Sequence, residues 1–169
     1  MARLDAIDSL PPAAYHRQQM QSKPDRLRAL LRRSSTLVLA TAGVHLVPHS
    51  TPLFFVMDEA IHLYWFSSPR SLHSRNLASQ PAAAIAVFDP TDRWRRIRGI
   101  QMRGLVSRVE DRELRSRIVP LYCERFGLDS RFAIPIRVSA LYCFTPSWAR
   151  YIDNSVRFGY KFELDLPVE

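Results

Sequence analysis

A run of hydroxyl and basic residues directly after a strand-like segment is the part of this sequence best suited to chemistry. The apolar residues "LYWF" lead into this run, and the start of a helix follows at its end. The donors follow one another closely: Ser67, Ser68, Arg70, Ser71 and His73. Hydroxyls, guanidinium groups and the N–H groups of a helix N-terminus bind phosphate monoesters, because they supply oriented donors and the positive end of the helix dipole. The segment predicts a phosphate site; the alternative is a solvated turn with a capping serine and surface arginines.

Other common chemistries find no support in the sequence. Its five glycines are too dispersed for a GxGxxG or a P-loop motif. The histidines form no HExxH motif, and His45 and His49, whose i, i+4 spacing would suit a ligand pair on a helix, flank a strand-like segment, so we expect no metal site. No G-x-S-x-G elbow is present.

Composition and charge indicate one folded domain. The chain has 169 residues, of which 47% are hydrophobic, and 24 Lys and Arg against 16 Asp and Glu give a net charge of +8. The basic residues are spread along the chain, whereas nucleic-acid binders generally show a clustered stripe, so we do not expect nucleic acid as a partner. The segment "DRWRRIRG" is the only motivation for that alternative, through Trp94, Arg95 and Arg96.

The domain boundaries follow from the N-terminal composition. Residues 1–22 are polar with a Pro-Pro pair and predict an arm, and residues 23–169 predict a single domain. The arm lacks the apolar core of a secretory signal and no apolar run could span a bilayer, so a cytoplasmic protein without membrane contact is expected. Cys123 and Cys143 lie in apolar contexts and predict two buried thiols.

Hydrophobic periodicity predicts a mainly β fold with flanking α-helices. Helical spacing from Ser22 predicts a helix with Ser22 as N-cap, and three strands, a short helix, two strands, a helix and further strands follow in that order. The predicted strands are 36–42, 45–58, 60–67, 82–89, 97–111, 136–146 and a hairpin over 149–166; the predicted helices begin near residues 22, 71 and 111. Consecutive strands without long crossovers favour an antiparallel barrel, with the first three strands as a meander joined by a tight Asp58-Glu59 turn.

Several residues predict local features of these elements. Leu72 and Leu77 are expected to face the core from the second helix, and Pro120 to break the third helix before Gly127 caps it. In the strand over 97–111, apolar Ile100, Met102, Leu105 and Val109 alternate with polar residues, and Gly99 and Gly104 predict curvature.

The order of these motifs resembles a known family. "LVLATAG", "STPLFFVMDEAIHLYWFSSPRSLHSRNLASQP" and "RGIQMRGLVSRVED" are together similar to the pyridoxamine 5'-phosphate oxidase-like, FMN-binding split-barrel flavoproteins. The similarity covers about residues 24–166, and the tail "YIDNSVRFGYK" is closer to a short branch of that family than to the vitamin-B6 enzyme itself. The resemblance implies an antiparallel split β-barrel that forms a homodimer with FMN in the interface.

The resemblance also implies which residues contact the cofactor. Ser67 and Ser68 would contact the FMN phosphate or ribityl chain, with Arg70 and His73 at positions where the family commonly has basic phosphate ligands. His73 replaces the more usual lysine, so its charge would depend on pH. Asn76 matches the "NL" of the pattern and is expected to tie the helix rather than to touch FMN.

The remaining implied contacts lie on other strands. The backbone of residues 39–41 and of residues 51–53, which include Leu39, Thr41 and Thr51, would lie along the edge of the flavin ring. Side chains expected to reach the flavin from the partner subunit are Gln101, Trp148, Arg150 and Phe158. On alternation alone Gln101 could equally be an outward-facing strand residue, and Phe158 could serve packing.

These implications favour an FMN-dependent oxidoreductase that acts on a small molecule at the dimer interface. In such enzymes the cofactor carries the redox chemistry, so no catalytic dyad is required. The alternative is a non-catalytic protein that binds flavin or a related cofactor, such as a deazaflavin or a tetrapyrrole.

Overall fold

Eight β-strands and four α-helices make up residues 22–166, the part of the chain that this computed structural model describes. The strands are β1 (Thr36–Ala42), β2 (Pro48–Phe54), β3 (Val56–Met57), β4 (Leu63–Ser67), β5 (Ala82–Phe88), β6 (Arg98–Arg108), β7 (Ala140–Asp153) and β8 (Lys161–Asp165). The helices are α1 (Lys23–Arg33), α2 (Leu72–Ser79), α3 (Arg112–Phe126) and α4 (Ala133–Val138). The predicted arm lies outside the described residues except for Ser22, whose hydroxyl caps α1 by accepting the Asp25 N–H at 3.3 Å.

The strands form one sheet that curls back on itself. Its order is β2-β1-β5-β6-β7-β4-β3, with β8 beside β7, and every pair is antiparallel. The two ends of this order, β2 and β3, are separated along the chain only by Phe55, so the sheet must nearly close into a barrel. The expected antiparallel barrel with flanking helices is therefore confirmed.

The predicted meander over the first three strands is interrupted within its second strand. The segment expected as one strand over 45–58 breaks at Phe55, which is buried, and its N–H donates to the Ser35 carbonyl at 3.1 Å. As a result β2 pairs with β1, whereas β3 pairs with β4 through the expected Asp58-Glu59 turn. The chain thus passes from one sheet edge to the other at a single buried phenylalanine.

A second difference concerns residues 133–153. The sequence predicted two strands, over 136–146 and from 149, but one strand, β7, runs through Pro146, and residues 133–138 are helical. A bulge explains the continuity: the register between β6 and β7 shifts at Arg103 and Gly104, and Pro146, which has no N–H to donate, lies opposite Gly104 at that point.

The direction of one side chain on β6 differs from the expectation. Ile100 and Met102 are buried as predicted, but Val106 is buried in place of Leu105, which is 56% exposed. Ile100, Met102 and Val106 keep the two-residue period along β6, and Leu105 falls on the opposite face, which it shares with Gln101 and Arg103. The outer face of the sheet therefore carries Leu105.

The core is filled from one side by α1. Leu27, Leu30 and Leu31 of this helix are fully buried against the barrel interior, in which Trp65 and Phe144 are the largest fully enclosed rings. The spacing of the three leucines places them on one helical face, so the predicted first helix is confirmed in both extent and packing.

Two expectations about the other helices need correction. Pro120 does not break α3, which continues to Phe126 because Ile118 and Tyr122 bury one face against the sheet; Gly127 caps it in the left-handed region at φ 58°, as predicted. In α2, Leu77 is buried but Leu72 is 46% exposed, because Leu72 is the first residue of the helix. Of the two free cysteines, Cys143 is buried and Cys123 only partly so.

Candidate functional site

The serine-rich segment between β4 and α2 brings several hydroxyls together. Strand β4 ends at Ser67 and α2 is capped by Ser71, whose Oγ accepts the Ser74 N–H at 3.3 Å. Between them, Ser68 Oγ accepts the Arg70 N–H at 3.2 Å, and the Ser68 carbonyl accepts the Ser71 N–H at 3.0 Å. This tight turn holds the hydroxyls of one short segment beside the N-terminus of α2.

His73 lies beneath these hydroxyls rather than on the surface. It is only 5% exposed, and its Nε2 lies 2.8 Å from Ser67 Oγ and 3.0 Å from Ser71 Oγ. Burial, and to a lesser degree the nearby His49, lower the pKa of His73 from its ordinary value of 6.5. The ring is therefore neutral near pH 7 and bonded to two serines, which makes it unlike the cationic lysine of the resemblance.

The lowered pKa of His73 predicts a specific pH dependence of stability. The unfolded chain takes up this proton near pH 6.5, whereas the native protein does so only at lower pH, so the free energy of unfolding falls as the pH drops below about 6.5. His73→Gln removes this contribution. Urea unfolding at about pH 7.5 and about pH 5.5 should show a smaller loss of stability in the variant than in the native chain. An equal loss in both proteins would contradict the assignment.

Strands β1 and β2 contribute further polar groups beside α2. His49 Nε2 lies 2.8 Å from Thr51 Oγ1, and the electrostatic effect of His49 is the second cause of the lowered pKa of His73, after burial. Thr41 is buried, and its Oγ1 accepts the Asn76 Nδ2–H at 3.1 Å, so Asn76 ties α2 to β1. His49 was missed as a member of this cluster, because in the sequence it was considered only as a metal ligand.

The basic group of the segment lies on its outer side. Arg70 is exposed, and its carbonyl accepts a hydrogen bond from Arg75 Nη1 at 3.1 Å. No carboxylate of residues 22–166 forms an ion pair with either arginine. Furthermore, no Asp or Glu occurs from residue 60 to residue 88. The donors are therefore hydroxyls, N–H groups and guanidinium groups, a set that suits an anion.

Three other residues expected at the site lie on the outer face of the sheet. Gln101 on β6 is exposed and lies opposite Arg150 on β7, while Arg103 lies opposite Trp148. Glu163 on β8 accepts hydrogen bonds from Arg150 Nη2 at 2.7 Å and from Trp148 Nε1 at 3.3 Å. The hydrogen bond from Arg150 holds the pKa of the Glu163 carboxyl below its ordinary value. The positive charge of Arg150 is thus already paired with the negative charge of Glu163.

An open groove of about 1170 Å³ crosses this outer face. It runs over β1, β5, β6 and β7, and small side chains dominate its lining. The residues that line it are Ala40, Thr41, Ala42, Pro48, Pro81, Ala82, Ala83, Ala84, Arg103, Gly104, Leu105, Val106, Ser107, Thr145, Ser147, Trp148 and Asp165.

The expected site residues fall into two groups on one chain. Ser67, Ser68, Arg70, His73, Thr41 and Thr51 form or adjoin the cluster at α2, and Gln101, Trp148 and Arg150 lie on the outer sheet face. Thr41 connects the two groups, since it lines the groove and is bonded to α2 through Asn76. The side chain of Leu39 is fully buried in the core, so only its backbone could contact a ligand.

Phe158 lies apart from both groups. It follows β7 at the far end from Ser67 and is 78% exposed, with its ring edge-on to Trp94 at 5.7 Å. Asn154 holds the two loops together, because its Nδ2 donates to the Trp94 carbonyl at 2.9 Å and its Oδ1 accepts the Gly159 N–H at 3.1 Å. Phe158 does not join Trp148 and Arg150 within one chain.

Residues 22–166 hold no group of three or more metal-binding side chains. None of the helices in the same range combines the length and the apolar character that crossing a bilayer requires.

Solved structures share this fold at low sequence identity. The heme storage protein HutZ of Vibrio cholerae is 21% identical with a TM-score of 0.61, over 75% of this chain and 91% of HutZ. Campylobacter jejuni ChuZ is 17% identical with a TM-score of 0.72, and the match covers 84% of this chain but 58% of ChuZ. The conserved hypothetical protein Rv2991 of Mycobacterium tuberculosis is 18% identical with a TM-score of 0.71, over 83% and 91% of the two chains.

Sequence comparison gives the family directly. No curated protein matches the sequence. A model of the pyridoxamine 5'-phosphate oxidase family, however, matches residues 24–153, which include the serine-rich segment, the groove strands and most of the barrel. By this match and by its fold, the chain belongs to the pyridoxamine 5'-phosphate oxidase family.

Proposed function

We propose that this chain is a cytoplasmic, homodimeric flavoprotein that binds FMN and acts as an oxidoreductase on a small molecule. The observation that carries the proposal is the donor set between β4 and α2, which contains hydroxyls, a helix N-terminus and exposed guanidinium groups that form no ion pair within residues 22–166. A phosphate monoester is the ligand that such donors suit best.

Hydroxyls and a single arginine would bind the FMN phosphate, without a charge from His73. Ser67 and Ser71 hydroxyls lie together against His73 Nε2, and Arg70 supplies a positive charge from outside. With a neutral His73, the charge of the phosphate is met by Arg70 and by the N-terminus of α2. His73 Nε2 lies within hydrogen-bond distance of both hydroxyls and so orients the serines rather than neutralising the anion.

The flavin ring would lie where β1 and β2 adjoin the cluster. The inward-facing Thr41 and Thr51 are opposite His49 and Leu39, respectively, in the pairing of the two strands. FMN, once bound, supplies the capacity to accept and pass on a hydride or electrons, and the chain's own residues hold it and exclude water.

Exposed apolar side chains on the outer sheet face support the homodimer. Leu105 and Phe88 are 56% and 57% exposed, and both lie near the alanines of β5. Contiguous exposed apolar surface of this kind is typical of an interface between protein chains. A second copy would also bring its Gln101, Trp148 and Arg150 toward the first chain's cluster.

Turnover is tested with FMN-loaded protein. NADH and NADPH are each supplied in the absence of oxygen. We expect the visible absorbance of the flavin to bleach and then to return when a small quinone is added as oxidant. Flavin that stays bound but is reduced by neither donor would favour a binding protein instead.

A tetrapyrrole-binding protein without turnover is the second candidate. It is favoured by the fold shared with HutZ, which is named as a heme storage protein, although 21% identity carries the fold alone. Titration with hemin separates the candidates: saturable growth of a shifted Soret band at one equivalent, together with no retention of FMN, favours the tetrapyrrole. A deazaflavin that is retained where FMN is not would place the chain among flavin-analogue binders.

A further inference from the structure

We propose that Arg103 determines the class of small molecule that this protein accepts: a flat apolar molecule of about 10 Å that carries one carboxylate. The molecule would lie in the groove of the outer sheet face with its carboxylate on the Arg103 guanidinium. That this molecule is a substrate rests on the proposed function, whereas its binding does not.

The Arg103 side chain is held in place but not neutralised. Its guanidinium carbon lies 4.3 Å from the centroid of the Trp148 ring, a cation–π distance that fixes the group over the ring. Within residues 22–166, no carboxylate forms an ion pair with Arg103. Arg150 on the other strand also contacts Trp148, at 5.2 Å, but its charge is matched by Glu163. Arg103 is therefore the cation available to a ligand.

The groove around Arg103 is otherwise almost uncharged. Of its lining residues, Arg103 and Asp165 alone carry a charge, and most of the others are alanine, proline or another apolar residue. Arg103 is thus the one lining residue with which a carboxylate can pair, and its guanidinium can donate two parallel hydrogen bonds to that carboxylate.

The pairing of the strands gives the bound molecule a direction. A row of directly opposed residues crosses the sheet on its outer face: Ala40, Ala84, Arg103, Trp148 and Asp165. Asp165 lies beyond Trp148 and would repel a carboxylate, so the anionic end is confined to the Arg103 side. The apolar body then extends over Ala84 to Ala40.

The length of this floor sets the size of the molecule. Strand β6 is separated from β1 by one intervening strand, so the row from Arg103 to Ala40 spans two strand spacings, or about 10 Å. Ala84 and Ala40 are exposed and present only methyl groups, so a flat ring system can lie on them. A bicyclic aromatic carboxylate has the size and the single charge that this floor and Arg103 suit.

The test compares two probes that differ only in charge. The full chain, with and without FMN, is titrated with 2-naphthoate and with 2-naphthamide, and binding is followed by calorimetry. We expect naphthoate to bind at least tenfold more tightly than naphthamide, and Arg103→Gln to remove this preference. Arg108→Gln is the matched control, since Arg108 lies on the same strand but is paired with Glu110, and it should keep the preference.

Two further outcomes make the proposal decisive. Ala84→Leu fills the floor and should weaken both probes while the chain stays folded by circular dichroism. Equal affinity of the two probes for the native chain, an undiminished preference in Arg103→Gln, or no binding of either probe would each overturn the proposal. If the preference appears in a chain that retains no FMN, the proposed flavin function fails and the anion site stands.

Discussion

Replacing Ser67 and Arg70 together by alanine is expected to weaken FMN binding at least a hundredfold and to leave riboflavin binding nearly unchanged. Ser67 lies in the hydroxyl cluster and Arg70 supplies the exposed charge beside it. Hydrogen bonds to a charged group contribute about 1.5–3 kcal/mol each, so losing two of them corresponds to a factor of about 100 or more. Fluorescence titration of the variant with both flavins measures the two affinities.

The comparison with riboflavin makes this result specific to the phosphate. Riboflavin has the same ring and ribityl chain but no phosphate, so a parallel loss for both flavins would mean that the variant damages the ring site or the fold. Ser116→Ala with Arg117→Ala is the matched control, because it also removes one hydroxyl and one positive charge, from exposed positions on α3. Unchanged FMN affinity in Ser67→Ala/Arg70→Ala would refute the phosphate assignment.

Replacing Gly104 by alanine is expected to cost about 3 kcal/mol or more of the free energy of unfolding. A Cβ at this position would lie 2.1 Å from the Thr145 carbonyl oxygen and 2.8 Å from Pro146 Cα. Both are backbone atoms of β7 at the bulge, so relief of the overlap must disturb the pairing of β6 with β7, the most extensive in the sheet. Urea unfolding of the native chain and of Gly104→Ala measures the cost.

Gly99→Ala on the same strand is the control for this prediction. There a Cβ would lie 3.3 Å from the Val87 carbonyl oxygen and 3.4 Å from Phe88 Cβ, so a shift of a few tenths of an ångström accommodates it. Its cost should be clearly smaller than that of Gly104→Ala. Similar costs for the two variants would show that the bulge at Gly104 has no special requirement for glycine.

Most of the barrel could be predicted from the sequence because its strands and helices have local signals. The leucine spacing in α1 and the left-handed cap at Gly127 both depend on neighbouring residues. The errors arose where distant residues decide the outcome. Pro146 remains within β7 because Gly104 provides a bulge opposite to it, and no local pattern around Pro146 indicates this.

In the candidate site, too, local features could be predicted from the sequence and long-range contacts could not. Ser67, Ser68 and Arg70 follow one another along the chain, so their chemistry could be predicted together. The burial of His73 and its contact with two hydroxyls depend on how α2 packs against the barrel, which the sequence pattern does not show. Arg103 was also missed, because its significance lies in the Trp148 ring across the strand pair.

Retention of FMN by the purified chain tests the central claim most directly. The protein is incubated with excess FMN, desalted, and its visible absorption spectrum recorded, with riboflavin carried through the same steps. The proposed phosphate site predicts flavin bands at about one FMN per chain and loss of riboflavin during desalting. A protein that emerges colourless from FMN would contradict the claim that the segment from Ser67 to His73 holds a flavin phosphate.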